Sequence, residues 1–271
     1  MSVQQSRTAA QDYWVELRHA SRSLGAAFFL TRRFVVTAAH CLRSVEEDDA
    51  ALAVAFADGV ELPARVHERL PEADLAVVVL LGPSPVTPLR ADRCQPDDPW
   101  RVPSRPTPSD PILTGAVVEP AMTYTCAGGA QLKALQLRTE ALLGDYSGYS
   151  GGPVERVLGS ERTLAGVLFE QYPDRQDPTR ASNVLLAATA AEVLARFDCF
   201  DMSNVLGELL DTPSKSNAEP AFHDVLDRST ALLKQGAAWQ QQGLMPPEEV
   251  TAMRLRVTRG IVDLAIGQGQ Q

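Results

Sequence analysis

The sequence predicts a mostly β protein, two antiparallel β-barrels followed by a small α-helical unit. Three observations carry that expectation. Residues 13–81 alternate short apolar runs with turns, and residues 112–188 do so again after a proline-rich interval. Beyond about Asp201 the apolar spacing changes from the period of a strand to that of a helix.

In the first series, Phe34-Val35-Val36 reads as a buried strand that delivers His40 at its end. Asp58-Gly59 is a turn between the strands Ala51–Phe56 and Val60–Pro63, and the run Leu75–Leu80 is a further apolar strand. From Gly82 to Pro111 prolines stand at 83, 85, 88, 96, 99, 103, 106, 108 and 111. Proline lacks the N–H that a central strand donates, so this stretch is expected to supply no central strand and to connect the barrels. The second series runs through Ile112–Val118, Tyr124–Cys126, a Gly128-Gly129 turn, Leu132–Leu137, Thr163–Phe169 and Ser182–Ala188, with a closing helix over Ala190–Phe197.

The turn-rich Asp211–Asn217 marks a linker over 201–218, and a helical unit is expected over 219–268. Phe222, Val225, Leu226, Leu232 and Leu233 recur at helical spacing, Gly243 marks a turn, and Pro246-Pro247-Glu248-Glu249 starts a second helix carrying Val250, Met253, Leu255, Val257, Ile261, Val262 and Leu264. Two helices of this length bury too little to be robust alone, so they must pack on the barrels, on a copy or on a partner.

Composition narrows the function classes. With 45% hydrophobic residues in 271, one large β domain with a small extension is affordable. The net charge is −9, and no basic run or aromatic-interleaved patch offers nucleic acid a footprint. Met1–Arg7 has no basic segment leading into an apolar one, and no later stretch has the length of a membrane span, so the expected location is cytoplasmic, with no membrane partner. Cys41, Cys94, Cys126 and Cys199 are scattered without metal-ligand spacing, so neither a metal nor a cofactor is expected.

The chemistry lies in two short segments, Thr37-Ala38-Ala39-His40-Cys41 and Gly148-Tyr149-Ser150-Gly151-Gly152-Pro153. A hydroxyl is a poor nucleophile near neutral pH unless an imidazole takes its proton, a carboxylate orients the imidazole and donors meet the oxyanion. Ser150, His40 and Asp74, at the edge of the Leu75–Leu80 strand, can fill the first three roles. The glycines around Ser150 let backbone N–H groups approach a carbonyl, and Gly148 and Ser150 are the expected oxyanion donors.

With those segments in place the chain resembles the chymotrypsin/trypsin-like serine proteases, over about residues 12–200. The resemblance implies two six-stranded barrels, about 12–82 and 111–200, with Tyr13–Leu17 and Gly25–Leu30 as opening strands. It implies His40 as general base, Asp74 as its orienter and Ser150 as nucleophile of an endopeptidase acting on protein or peptide substrates. By the same likeness Gly144, six residues before the serine, lies at the base of the primary pocket, and Asp145 and Glu170 are candidate walls that would favour Arg or Lys. Asp145 could equally cap a turn, and Tyr146 could fill the pocket.

Two departures from that family bear on control. Where activated members carry an aspartate before the serine this chain has Tyr149, and no Ile-Val-Gly-Gly segment precedes Trp14. Proteolytic zymogen activation is therefore not expected, and the oxyanion loop must be held by Tyr149 or ordered by a partner or substrate. Cys41 has no upstream cysteine to pair with, so reduced thiols are expected. The tail, on its apolar spacing and Gly-Leu-Met-Pro-Pro-Glu-Glu, resembles small effector-associated adaptor domains of bacterial conflict systems, which implies a regulatory or recruiting partner through 219–268. The alternatives are a catalytically silent protease-like scaffold, and a high-temperature-requirement-type quality-control protease, which would carry a β-rich PDZ domain where this chain has helices.

Overall fold

The computed structural model describes residues 12–46, 51–82, 84, 86–200, 222–241 and 245–258, the last without 252 and 256. Two closed barrels of six antiparallel strands form the β part. Barrel one holds β1 (Trp14–His19), β2 (Arg22–Phe29), β3 (Phe34–Ala38), β4 (Leu52–Ala55), β5 (Glu61–Leu70) and β6 (Leu75–Leu80), in the order 1-2-3-6-5-4. Barrel two holds β7 (Pro99–Val102), β8 (Leu113–Thr125), β9 (Gln131–Thr139), β10 (Pro153–Leu158), β11 (Glu161–Pro173) and β12 (Ala181–Thr189). Its order, 7-8-9-12-11-10, repeats that of barrel one, and closure leaves neither sheet an open edge.

The strands next to His40 and Asp74 are the most completely buried. Every residue of β3 and of β6 is buried, as expected of strands covered on both faces. Thr37, the polar member of β3, offsets its burial by donating its hydroxyl to the Ala26 carbonyl at 2.8 Å. Inside barrel one Phe29 and Phe56 stack with ring centroids 5.8 Å apart. Trp100, Val102, Leu113, Leu135, Leu137 and Leu185 are among the residues filling barrel two.

The proline-rich interval is the correction to the sequence reading, because Pro99–Val102 is a strand and pairs with both β8 and β10. Pro99 is its first residue, where a missing N–H is tolerated, while Trp100 and Val102 face inward. The segments 112–118 and 124–126 are one long strand, β8, with register shifts between Val117 and Met122.

A fully buried carboxylate joins the barrels. Glu155 of β10 accepts the Tyr13 hydroxyl at 2.9 Å and the Arg101 guanidinium at 2.7 Å. Burial first, and then the Glu155 charge, push the Tyr13 phenol well above its ordinary range. Arg162 lies 3.9 Å from the same carboxylate, so two guanidinium groups meet the buried charge.

The described residues divide into two compact units, with boundaries at Arg90/Ala91, Arg93/Cys94 and Ala190/Ala191. The second contains most of α1 (Ala190–Arg196), followed by a 3₁₀ turn at Asp198–Phe200, and α2 (Phe222–Gln241). Helical backbone resumes at 247–251, where the Val250 N–H reaches the Pro246 carbonyl. Val250, Met253 and Val257 are buried against Leu232, Leu233, Trp239 and Met245. Gly236 permits this close approach, since a Cβ there would lie 2.0 Å from Met253 Cε. The expected linker, the Gly243 turn and the end of the second helix at Ile261, Val262 and Leu264 lie outside the described residues. Among the described residues no helix is long and apolar enough to cross a membrane.

Candidate active site

Antiparallel pairing of β3 with β6 sets Ala38 opposite Leu75, so the end of one strand and the start of the other share a rim of barrel one. His40 follows β3 in a 3₁₀ turn, Ala39–Leu42, and Asp74 precedes β6. Asp74 Oδ1 accepts the His40 backbone N–H at 2.8 Å, and Oδ2 lies 2.7 Å from His40 Nδ1. One carboxylate thus fixes both the backbone and the ring of His40, which leaves Nε2 as the outward nitrogen. The hydrogen bond to Asp74 is the largest influence raising the imidazole pKa, the Cys41 side chain adds to it, and partial burial opposes both, with the result pushed up to about 10. The protonated pair therefore stabilises the fold fully below pH 6.5, and that contribution is lost as pH rises toward about 10.

Ser150 lies in the connection from β9 to β10. The Tyr149 N–H closes a turn onto the Tyr146 carbonyl at 3.3 Å, with Gly148 at the third position and φ of +88°. Positive φ there fits a type II turn and excludes type I, which would flip the peptide carrying the Gly148 N–H. Among the described residues neither the Gly148 nor the Ser150 N–H has an acceptor, so both are available to a ligand.

The serine carbonyl is held by the other barrel. Ala26 N–H donates to Ser150 O at 3.2 Å and Cys41 Sγ approaches it at 3.7 Å. Gly151, at φ +82°, makes this possible, because a Cβ there would lie 2.1 Å from Ala26 O. Tyr149 turns into the core of barrel two and donates its hydroxyl to Pro111 O at 2.7 Å, and burial pushes its pKa up to about 12. Tyr146 donates likewise to Ala141 O at 2.5 Å. None of these supports carried a local signal, since their partners stand 5 to 124 residues away in sequence.

His40 and Ser150 line one cavity of about 220 Å³, together with Tyr146, Ser147, Leu168, Phe169, Glu170, Gln171 and Leu185. No hydrogen bond joins His40 to Ser150 among the described residues. Of the three pocket candidates, Glu170 is in the lining and Gly144 and Asp145 are not. Asp145 instead accepts the Ser147 N–H and hydroxyl, at 2.9 and 2.6 Å, and these bonds lower its pKa. Gly144 sits at φ +74° against the Arg180 guanidinium. Gln171 ties the cavity's two walls by accepting the Tyr146 N–H at 2.7 Å.

Residues 25–159 match the family model of the trypsin-like peptidase domain. No curated protein sequence matches significantly. Among solved structures, the active form of the Rv3671c protease from M. tuberculosis is 19% identical with a TM-score of 0.53, covering 78% of this chain and 85% of its own. An HtrA-type protease, AlgW with a decapeptide, is 15% identical with a TM-score of 0.57, covering 72% and 66%. The MamO protease domain from Magnetospirillum magneticum is 14% identical with a TM-score of 0.52, covering 70% and 98%. At these identities the likeness is one of fold. From the repeated six-stranded barrels and the matched stretch together, the chain has the trypsin-like protease fold.

Proposed function

We propose that the chain is a serine endopeptidase acting through an acyl-enzyme on Ser150. The observation that carries this reading is His40, doubly hydrogen-bonded by Asp74, lining the same cavity as Ser150, beside two unengaged N–H groups. In this scheme His40 Nε2 takes the Ser150 proton as Oγ attacks the substrate carbonyl, and the N–H groups of Gly148 and Ser150 receive the oxyanion. His40 then returns the proton to the departing amine, and a water activated by His40 hydrolyses the acyl-enzyme. Substrate would add as a strand along β11 beyond Leu168, whose N–H and carbonyl are still taken by Gly152 and Gly151. The cavity has room for about one side chain, and its lining carboxylate is Glu170, so a preference for basic residues would act through Glu170 rather than Asp145.

The helical unit, as an interaction domain over 219–268, would recruit or regulate the protease, and the likeness of residues 243–249 to adaptor domains suggests a bacterial conflict system as the setting. Four buried, unbridged cysteines support a reducing, cytosolic location. The missing His40–Ser150 hydrogen bond favours the second reading, a silent scaffold. A fluorophosphonate probe separates the two. Labelling that Ser150→Ala abolishes supports the enzyme, and absence of labelling with every candidate partner and peptide supports the scaffold.

A further inference from the structure

We propose that the β8–β9 hairpin of barrel two is a positioning element for Asp74, and that it depends on Gly128. The inference rests on the role given to Asp74 above. Asp74 stands at φ 53°, ψ 37°, a left-handed conformation that costs energy in any residue but glycine, although aspartate tolerates it better than most. The surroundings are specific. Its own N–H reaches Pro71 O at 3.3 Å, and its carbonyl accepts the Ala39 N–H at 3.1 Å. The two carbonyls between are taken by the other barrel: Glu72 O accepts the Ala130 N–H at 3.1 Å, and Cys126 Sγ donates to Ala73 O at 3.6 Å. Every carbonyl from 71 to 74 is therefore engaged, half of them by the hairpin.

Gly128 is what allows the hairpin this close. A Cβ there would lie 2.4 Å from Glu72 Cα and 2.7 Å from Pro71 O, contacts with backbone that no rotamer change relieves. Its neighbour supplies a control, since Gly129 stands at φ +96° and a Cβ on it would meet nothing within 4 Å. The loop itself is tight, with Cys126 N–H on Ala130 O at 2.9 Å and Gly129 N–H on Cys126 O at 2.8 Å, so it can transmit a push. Beside the hairpin's turn the Tyr124 ring lies 5.9 Å from Phe169 and 6.4 Å from Tyr172, both on the strand that walls the cavity. One element thus touches the cavity wall and the turn that carries the orienting carboxylate.

The test compares Gly128→Ala, Cys126→Ala and Gly129→Ala in the full chain, by NMR titration of His40 and its Nδ1 proton and by steady-state peptide cleavage. Displacing the carboxylate from His40 by Gly128→Ala should lower the imidazole midpoint by about one pH unit or more and broaden or remove the Nδ1–H signal. It should cut kcat about 10- to 100-fold with little change in KM. Cys126→Ala should move the midpoint the same way by less, and it decides the matter if Gly128→Ala does not fold. Gly129→Ala, strained but clear of Glu72, should leave the midpoint in place. An unmoved midpoint in the folded Gly128 and Cys126 variants overturns the proposal. The NMR readout needs no turnover, so an inactive parent chain would sink the protease reading without touching this one.

Discussion

The two halves of the site are built by different means. Barrel one presents His40 and Asp74 as side chains at the ends of two paired, wholly buried strands, with bonds of 2.7 and 2.8 Å between them. Barrel two presents Ser150 on a backbone turn whose shape depends on Gly148 at φ +88° and Gly151 at φ +82°, braced from behind by two tyrosine hydroxyls. The first half is set by strand register and side-chain chemistry. The second is set by which of two turn types the backbone adopts, so it is the half on which control can act.

Breaking the first half should have the largest effect. Asp74→Asn replaces an acceptor at Nδ1 with a group that can present its NH₂, which favours the wrong imidazole tautomer. We expect kcat to fall on the order of 10⁴-fold with the fold intact. His40, no longer raised to about 10, should titrate near its ordinary range, and an NMR midpoint unchanged from the parent would contradict the assignment.

The second half should yield in two steps of different size. Gly148→Ala forces an alanine to φ +88° and sets a Cβ 2.9 Å from Pro106, so the turn should move toward type I and carry an oxyanion donor away. Loss of one such donor costs about 10²–10³ in kcat. Tyr149→Phe keeps the ring and loses only the hydroxyl on Pro111 O, which should cost about 1 kcal/mol of stability and a smaller part of kcat. Thermal unfolding with peptide cleavage on both variants checks the order, and a Tyr149→Phe chain more impaired than Gly148→Ala would show that the phenol, not the glycine, governs the turn.

The same division marks what the sequence made legible. β6 is an unbroken apolar run and β3 is broken only by Thr37, so both strands are legible in the sequence. β7 is masked by the prolines around it, although Pro99 occupies a strand's first position, where a missing N–H does no harm. β10 was hidden for another reason. Nothing local marks Glu155 as a core residue, because its partners Tyr13, Arg101 and Arg162 come from the start of barrel one, β7 and β11. The proposed triad residues stand in short local motifs, whereas Ala26 and Cys41 on the serine carbonyl, and the hairpin on the aspartate turn, are contacts between barrels with no local signature.

Cys41 is where the two halves meet, and it carries the smallest expected effect. Its side chain touches the Ser150 carbonyl of one half and raises the proton affinity of His40 in the other. Catalysis needs a neutral imidazole, so activity should climb as pH rises through the His40 pKa, and the acid limb of kcat/KM should lie on the alkaline side of the ordinary histidine value. Cys41→Ala removes one of the influences that raise that pKa while the Asp74 bond remains. The limb should therefore move to lower pH, by less than in Asp74→Asn, and a fixed probe at neutral pH should report faster labelling of Ser150. The Ala26 N–H still holds the serine carbonyl, so the loop should keep its place. A limb that stays put would mean that the thiol serves packing against Gly25, where a Cβ would lie 2.7 Å from its sulfur, and that the halves are coupled through backbone alone.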